Sequence, residues 1–478
     1  MTGSGSGTRQ FKRLVESEGN SSHAPSDRVA GPPFPPVGWK ESFCNTVKSS
    51  WINSFILFLP IAMGVYFAGE DQVQKDAVVF GLCFLSIMAL ESFVDFGGEQ
   101  LALYTGDLVG NFIVTTLKNA VEATAAIILL VRCELRLLKS TIVGVVLLHL
   151  LLAPGISFLT GGSRTPQLRL DARTNPLNHM LLVTAVMVLA IPLVIFTAMK
   201  DTQPPVNLSA VELLQMTHGI AIIMFVVYIG SRLYLHRLPS NPGAPSGVSL
   251  EANRAVVDTQ SGTTVHTGDS SSATQCSGQS RHVHQTPKAN KYVSVMLLVI
   301  AMPLMGFTVE CLLDSMDFVG RDMSSGLQRE WFGLILLPLL SFAADGVVSI
   351  VFFAESLSLC LFKKDSDRKP KPPKTLAEDR AIDMSIQFTL MWLPIFVLIS
   401  WASGKPFTLL FDIFGVAILI AACFLVNYVT EDARTNWAGG LAMVSFYVII
   451  ALCAWSYHGQ PAIAALGTCG HSAEAANI

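Results

Sequence analysis

Eleven windows of about 20 mostly apolar residues recur along this chain: Trp51–Ala68, Val78–Val94, Leu108–Leu130, Thr141–Phe158, His179–Met199, Val211–Tyr234, Tyr292–Leu313, Trp331–Phe353, Met384–Trp401, Leu409–Val429 and Trp437–Trp455. That is the length an α-helix needs to cross the hydrocarbon core of a bilayer. With no water in the core, each window must satisfy its own backbone as a helix. The expected fold is therefore an all-α integral membrane protein with about 11 transmembrane helices. Composition agrees, since 51% of the 478 residues are hydrophobic and 14% charged, too apolar a balance for an ordinary soluble protein. The formal net charge of −3 points to no particular macromolecular partner, nucleic acid included. Most of the nine cysteines lie in or beside the helices with no paired spacing and read as small apolar filler.

Polar stretches divide the chain. Residues 1–50 are Gly-, Ser- and Pro-rich and read as a disordered tail with no cleavable signal peptide. Residues 51–237 hold six of the windows. Residues 238–291, rich in Ser, Thr, Gly and His, form a disordered linker, and 292–457 hold the other five windows. Residues 363–380 within the second half are a basic, Pro-rich loop that could touch anionic lipid or simply stay solvated. A tail, 458–478, ends the chain. Most of the 32 Lys and Arg residues fall on the side of the N-terminus, which the positive-inside rule places in the cytosol. Eleven crossings then put the C-terminus on the lumenal or external side.

The two halves echo one another. Gly110 precedes Glu122, and Gly333 precedes Asp345, at the same spacing; "NAVEA" (Asn119–Ala123) then faces "FAADG" (Phe342–Gly346). The preceding helices carry "ESFVD" (Glu91–Asp95) and "ECLLD" (Glu310–Asp314), each with acids four apart on one helical face. Setting the first helix aside leaves five plus five. Because five is odd, the second unit must insert upside down relative to the first. Inverted repeats of this kind mark secondary transporters, with the site at the repeat interface near the bilayer midplane.

A charge at mid-membrane costs on the order of 2.5–3.5 kcal/mol, so Glu122 and Asp345 are expected to face a cavity or a partner. Paired carboxylates with neighbouring oxygens suit a hard divalent cation, which takes roughly 6–8 oxygen ligands when it is Ca2+. Buried together, the acids can hold a metal or protons but not both fully, and that competition is cation/proton exchange.

"GNFIVTTLKNAVEATAAIILL" resembles the first repeat motif of the calcium/proton exchanger family, part of the calcium:cation antiporters, whose core reads Gly-Asn-Ala-(Thr/Val)-Glu. "WFGLILLPLLSFAADGVVSIVFFA" resembles the second motif, and "SIQFTLMWLPIFVLISWASGKPFTLLFDIF" with "FLVNYVTEDARTNWAGGLAMVSFYVIIALCAW" resembles the C-terminal helices. The likeness covers roughly residues 45–457 outside the linker and the basic loop, and is to a divergent fungal vacuolar-type member. It implies a sodium/calcium exchanger-like fold: one leading helix, then two inverted five-helix repeats. It also implies exchange of cytosolic Ca2+ for lumenal protons across a vacuolar membrane, with transported ions and no cofactor. By position, Glu122 and Asp345 become the central carboxylates, with Asn119, Ser385 and Gln387 at the polar positions around the ion and Ser341 as a further neutral oxygen.

Several residues depart from that pattern. Lys118 stands where the family has Gly, four residues before Glu122 and on its helical face, where its charge would repel a cation. Asp345 is one methylene shorter than Glu. Phe342 and Val145 remove oxygens, His149 replaces Asn, and Asp383 could return an acid. Glu91, Asp95, Glu99, Glu310 and Asp314 form either a cation-attracting mouth or ordinary polar helix ends. His149 and His218 are expected to be hydrogen-bonded core histidines rather than proton relays. Pro154, Pro192, Pro303, Pro338 and Pro394 mark hinges or simple kinks. Three functions remain open: a Ca2+/H+ antiporter; a same-fold exchanger with altered selectivity or lost Ca2+ transport; and, remotely, an intramembrane enzyme. Neither Gly-x-Ser-x-Gly nor His-Glu-x-x-His occurs to support the last.

Overall fold

A computed structural model describes residues 37–68, 73–162, 168–169, 175–200, 210–237, 287–316, 329–361, 380–432, 434–457 and 459–460. Nearly all of the N-terminal tail, the linker, the basic loop and the C-terminal tail lie outside them. One part of the tail does not: Trp39–Val47 forms a short helix, α1, where the composition suggested disorder. Its Ser42 and Thr46 side chains are buried and bond back to carbonyls one turn earlier.

Among the described residues, nine helices are long and apolar enough to cross a membrane, or eleven if two sharply bent pairs each count as one span. The leading span is a 3-10 turn, Trp51–Leu57, running into α2, Phe58–Phe67. The first unit comprises α3 (Val73–Thr105), α4 (Asp107–Lys118) with α5 (Ala120–Val131), α6 (Leu135–Leu147) with α7 (Ala153–Gly162), α8 (Asn175–Lys200) and α9 (Ala210–Arg237). The second comprises α10 (Lys291–Ser315), then α11 (Arg329–Trp331) with α12 (Leu337–Leu361), and α13 (Arg380–Gln387) with α14 (Leu393–Ala402). It ends with α15 (Ile413–Thr430) and α16 (Trp437–Trp455). A two-residue antiparallel pair, Leu168–Arg169 with Arg434–Thr435, ties the two units at one end.

The units interlock rather than sit side by side. Their first helices, α3 and α10, pack along their lengths, and α6 crosses the start of the α12 span. That crossing is backbone to backbone. A Cβ on Gly144 would fall 2.1 Å from the Leu334 carbonyl oxygen, and one on Gly333 would fall 2.8 Å from the Leu137 side chain. Small residues permit this approach between membrane helices, where apolar side chains gain little by leaving lipid.

Three prolines have a shared local effect. Pro154, Pro338 and Pro394 each follow a π-helical turn: Leu148–Leu152, Phe332–Leu336 and Phe388–Trp392. Proline lacks the N–H that would reach back four residues and its ring crowds that carbonyl. The carbonyl concerned is the middle residue of each turn, so widening the helix there relieves the clash. Pro192 and Pro303 lie inside unbroken helices. The tenth span also starts later than its apolar window, at Ile413. The preceding Phe407, Leu409, Leu410 and Phe411 are buried without being helical. Their backbone is met from outside: Lys139 donates to the Leu410 carbonyl at 2.9 Å, and Thr217 accepts from the Leu409 N–H at 3.2 Å.

Candidate cation site at the repeat interface

The second span of the first unit breaks at Asn119, where α4 and α5 bend by 56°. Lys118 lies in the last turn of α4 and Glu122 in the first turn of α5. Each charge therefore sits at the helix end whose partial charge is opposite to its own. The break also undoes the expected pairing of these two residues. Neighbours four apart meet only on a continuous helix, so Lys118 turns away from Glu122. Its Nζ lies 2.7 Å from an Asp95 carboxylate oxygen and 3.6 Å from one of Asp345. Glu122, almost fully buried, instead faces His149 Nε2 at 3.5 Å.

Lys118, Glu122, His149 and Asp345 line one cavity of about 50 Å³, with Glu91, Ala153, Ser157, Ser341, Phe342, Ser349, Arg380, Ala381 and Met384 completing its wall. That volume exceeds the 10–15 Å³ or so needed for one water. Three carboxylates (Glu91, Glu122, Asp345) and two fixed cations (Lys118, Arg380) share the wall. Several buried atoms in it have no protein partner: Glu122 Oε2, Glu91 Oε2, Ser157 Oγ and His149 Nδ1. Each unpaired buried polar atom costs about 1–3 kcal/mol unless a ligand or water meets it. The set therefore suits a partly hydrated cation or protons. Among the described residues no three His, Cys, Asp or Glu side chains already converge as a metal cluster. A bound ion here would draw on hydroxyls and water as well as the acids.

Other expected site residues lie elsewhere. Asn119 and Gln387 are fully buried beside the cavity and bond to each other across the two units, Nδ2 to Oε1 at 3.0 Å. Gln387 Nε2 donates in turn to Thr116. Asn119 Oδ1 and Ser385 Oγ remain without partners in this layer. Asp383 adds no charge to the centre, because Arg232 of α9 holds it at 2.5 Å. Glu310 and Asp314 pair with Arg132, and Tyr66 donates to Asp314, so these acids tie helix ends together. Glu99 lies two turns beyond Glu91 on α3 and is not part of the cavity wall. Val145 is wholly buried among apolar side chains, and His218 stacks on Trp401 at 4.4 Å. Cys133, read as filler, is held in a disulfide.

Glu91, Ser157, Ser349 and Arg380 were not singled out as central by sequence. Glu91 had a usable signal, lying on the same helical face as Asp95. Ser349 lies one turn beyond Asp345 and could have been found the same way. Arg380 merges into a basic loop and gave none.

The sodium/calcium exchanger protein family profile matches residues 75–235 and 293–456, well over half of the chain. The chain belongs to the sodium/calcium exchanger family. The two matched blocks correspond to the two five-helix units. Among curated relatives of this exchanger, a vacuolar calcium ion transporter of Cryptococcus neoformans is 29% identical, covering 88% of this chain and 76% of its own. A protein of the same description from Schizosaccharomyces pombe is 25% identical, covering 86% of each. The solved structure of a selenium-substituted Ca2+/H+ antiporter, YfkE, superposes with a TM-score of 0.56 at 18% identity, over 85% of this chain and 98% of its own. That likeness places the exchanger fold.

Proposed function

We propose that this exchanger is a secondary active transporter that moves Ca2+, or a related divalent cation, against H+ across an organelle membrane. The vacuolar membrane is the site its curated relatives' names suggest. The observation that carries the reading is one cavity walled by Glu122 from the first unit and Asp345 from the second, with unpaired buried oxygens around them. In one facing state the carboxylates, with Ser341 and neighbouring oxygens, hold the cation. Protons from the acidic side then replace it, because the same oxygens cannot carry both loads in a low-dielectric site. Asn119, Gln387 and Ser385 form the polar layer that positions Glu122's half-helix. The N-terminus is assigned to the cytosol and the C-terminus to the lumen. Residues 51–237 are assigned to the leading helix and the first repeat, and 292–457 to the second repeat. No enzymatic activity and no resident cofactor are required.

A second reading, a same-fold exchanger of altered selectivity, is favoured by the Lys118–Asp345 ion pair, since a fixed positive charge on the second carboxylate weakens its hold on a divalent cation. The test is uptake of radiolabelled Ca2+ into proteoliposomes with an imposed pH gradient. Uptake that a protonophore collapses is the expected result. Gradient-driven uptake of Na+ or K+ with no Ca2+ uptake would establish the second reading instead.

A further inference from the structure

We infer that the ammonium of Lys118 is a tethered cation, built into the half of the site that Asp345 contributes. The inference rests on the exchange reading above and names what sets its ion affinity. Lys118 Nζ is buried, lies on the cavity wall and sits between two carboxylates, 2.7 Å from Asp95 and 3.6 Å from Asp345. A mobile cation bound between Glu122 and Asp345 would seek the same oxygens. Lys118 cannot leave, because the end of α4 fixes its backbone and Asp95 anchors its tip. Asp95 is thus a positioning residue: it lies outside the cavity wall and holds Lys118 against Asp345.

The asymmetry of the wall supports this. On the Asp345 side the charges are matched by Lys118 and Arg380. On the Glu122 side the one ionic neighbour within 4 Å among the described residues is His149, and Glu122 Oε2 and His149 Nδ1 are unpaired. Glu122 thus keeps a free oxygen while the ammonium is held by Asp95 and Asp345. The transported cation is held mainly by Glu122 and its neighbours, and its affinity is set by how firmly Lys118 keeps Asp345. A fixed positive charge within several ångströms of a divalent ion lowers its affinity by at least about tenfold at the effective dielectric of protein sites.

Equilibrium binding of radiolabelled Ca2+ to the purified full chain in detergent tests this, comparing wild type with Lys118→Met and Lys118→Arg. Lys118→Met frees Asp345 and should bind Ca2+ at least about tenfold tighter, while Lys118→Arg keeps the charge and should bind as wild type does. Lys118→Met leaves Asp95 and Asp345 unpaired and could fail to fold. The double variant Lys118→Met/Asp95→Asn removes that strain and should also bind more tightly than wild type. A folded Lys118→Met or Lys118→Met/Asp95→Asn variant that binds no tighter than wild type overturns the inference, as does equal tightening by Met and Arg. Wild-type vesicles without gradient-driven uptake would overturn the exchange reading alone, since the binding comparison stands apart from it.

Discussion

Glu122 and Asp345 hold matching places in two related motifs, yet their surroundings have diverged. In the first unit the span breaks at Asn119, and Glu122 heads a new half-helix with an amide beside it. In the second, Phe342 stands at the matching position and α12 runs unbroken past Asp345. The phenyl ring lies over Gly346, 3.1 Å from where a Cβ there would sit. Glu122 is almost wholly enclosed and faces a neutral-capable histidine, whereas the Asp345 side chain is 28% exposed and faces an ammonium. The lesson is that an inverted repeat guarantees two carboxylates at one place without giving them equal work. Glu122 has the free oxygens of an ion site, and Asp345 has the partner of a structural ion pair.

The strongest way to break that comparison is to neutralise each acid in turn. Glu122→Gln should lower gradient-driven Ca2+ uptake by at least about a hundredfold, since of the two matching motif carboxylates it removes the one without a fixed positive partner. Asp345→Asn should cost nearer about tenfold, because Lys118 already offsets much of that charge. Initial rates in proteoliposomes, corrected for the amount of reconstituted protein, measure both. Equal losses would mean that the two halves share the cation evenly and that the asymmetry of the resting cavity has no functional weight.

Much of this was legible in the sequence, for a physical reason. A bilayer forces each spanning segment to be helical and long, so all eleven apolar windows find counterparts among the described helices. The equivalence of Glu122 and Asp345 was legible because both lie at fixed distances beyond a glycine. What sequence spacing could not show was the bend at Asn119. Four residues separate Lys118 from Glu122 on either a straight or a broken helix, and only the broken one sends the lysine to Asp95 and Asp345. The Asn119–Gln387 bond and the Arg232–Asp383 pair were hidden for a related reason. Each joins residues more than a hundred positions apart, on helices whose relative rotation only packing decides. Glu91 was read as part of a cation mouth or as a polar helix end, because an acid near another acid on a helix face reads as an end, and only burial places it in the cavity wall.

Two smaller effects sharpen the same contrast. Phe342→Asn would give the second unit the amide that the first already has. Ca2+ affinity should rise by about threefold, as one more neutral oxygen reaches the wall. Melting temperature should fall, because a partly buried ring is lost. Binding and thermal unfolding of the same preparation separate the two results.

The smallest change is expected from the acids of the second unit that lie far from the cavity. Glu310 pairs with Arg132 at 3.2 Å, but its side chain is 52% exposed and the arginine's is 30% exposed. Exposed ion pairs of this kind are worth about 0–1 kcal/mol, and Asp314 and Tyr66 hold the same helix ends independently. Glu310→Gln should therefore change Ca2+ uptake by less than about twofold, with little change in its dependence on Ca2+ concentration. A large rise in the half-saturating Ca2+ concentration, relieved at low ionic strength, would instead show that this acid draws cations towards the site. The matching face of the first unit, with Glu91 buried in the cavity wall and Asp95 paired with Lys118, would then differ from it in depth alone.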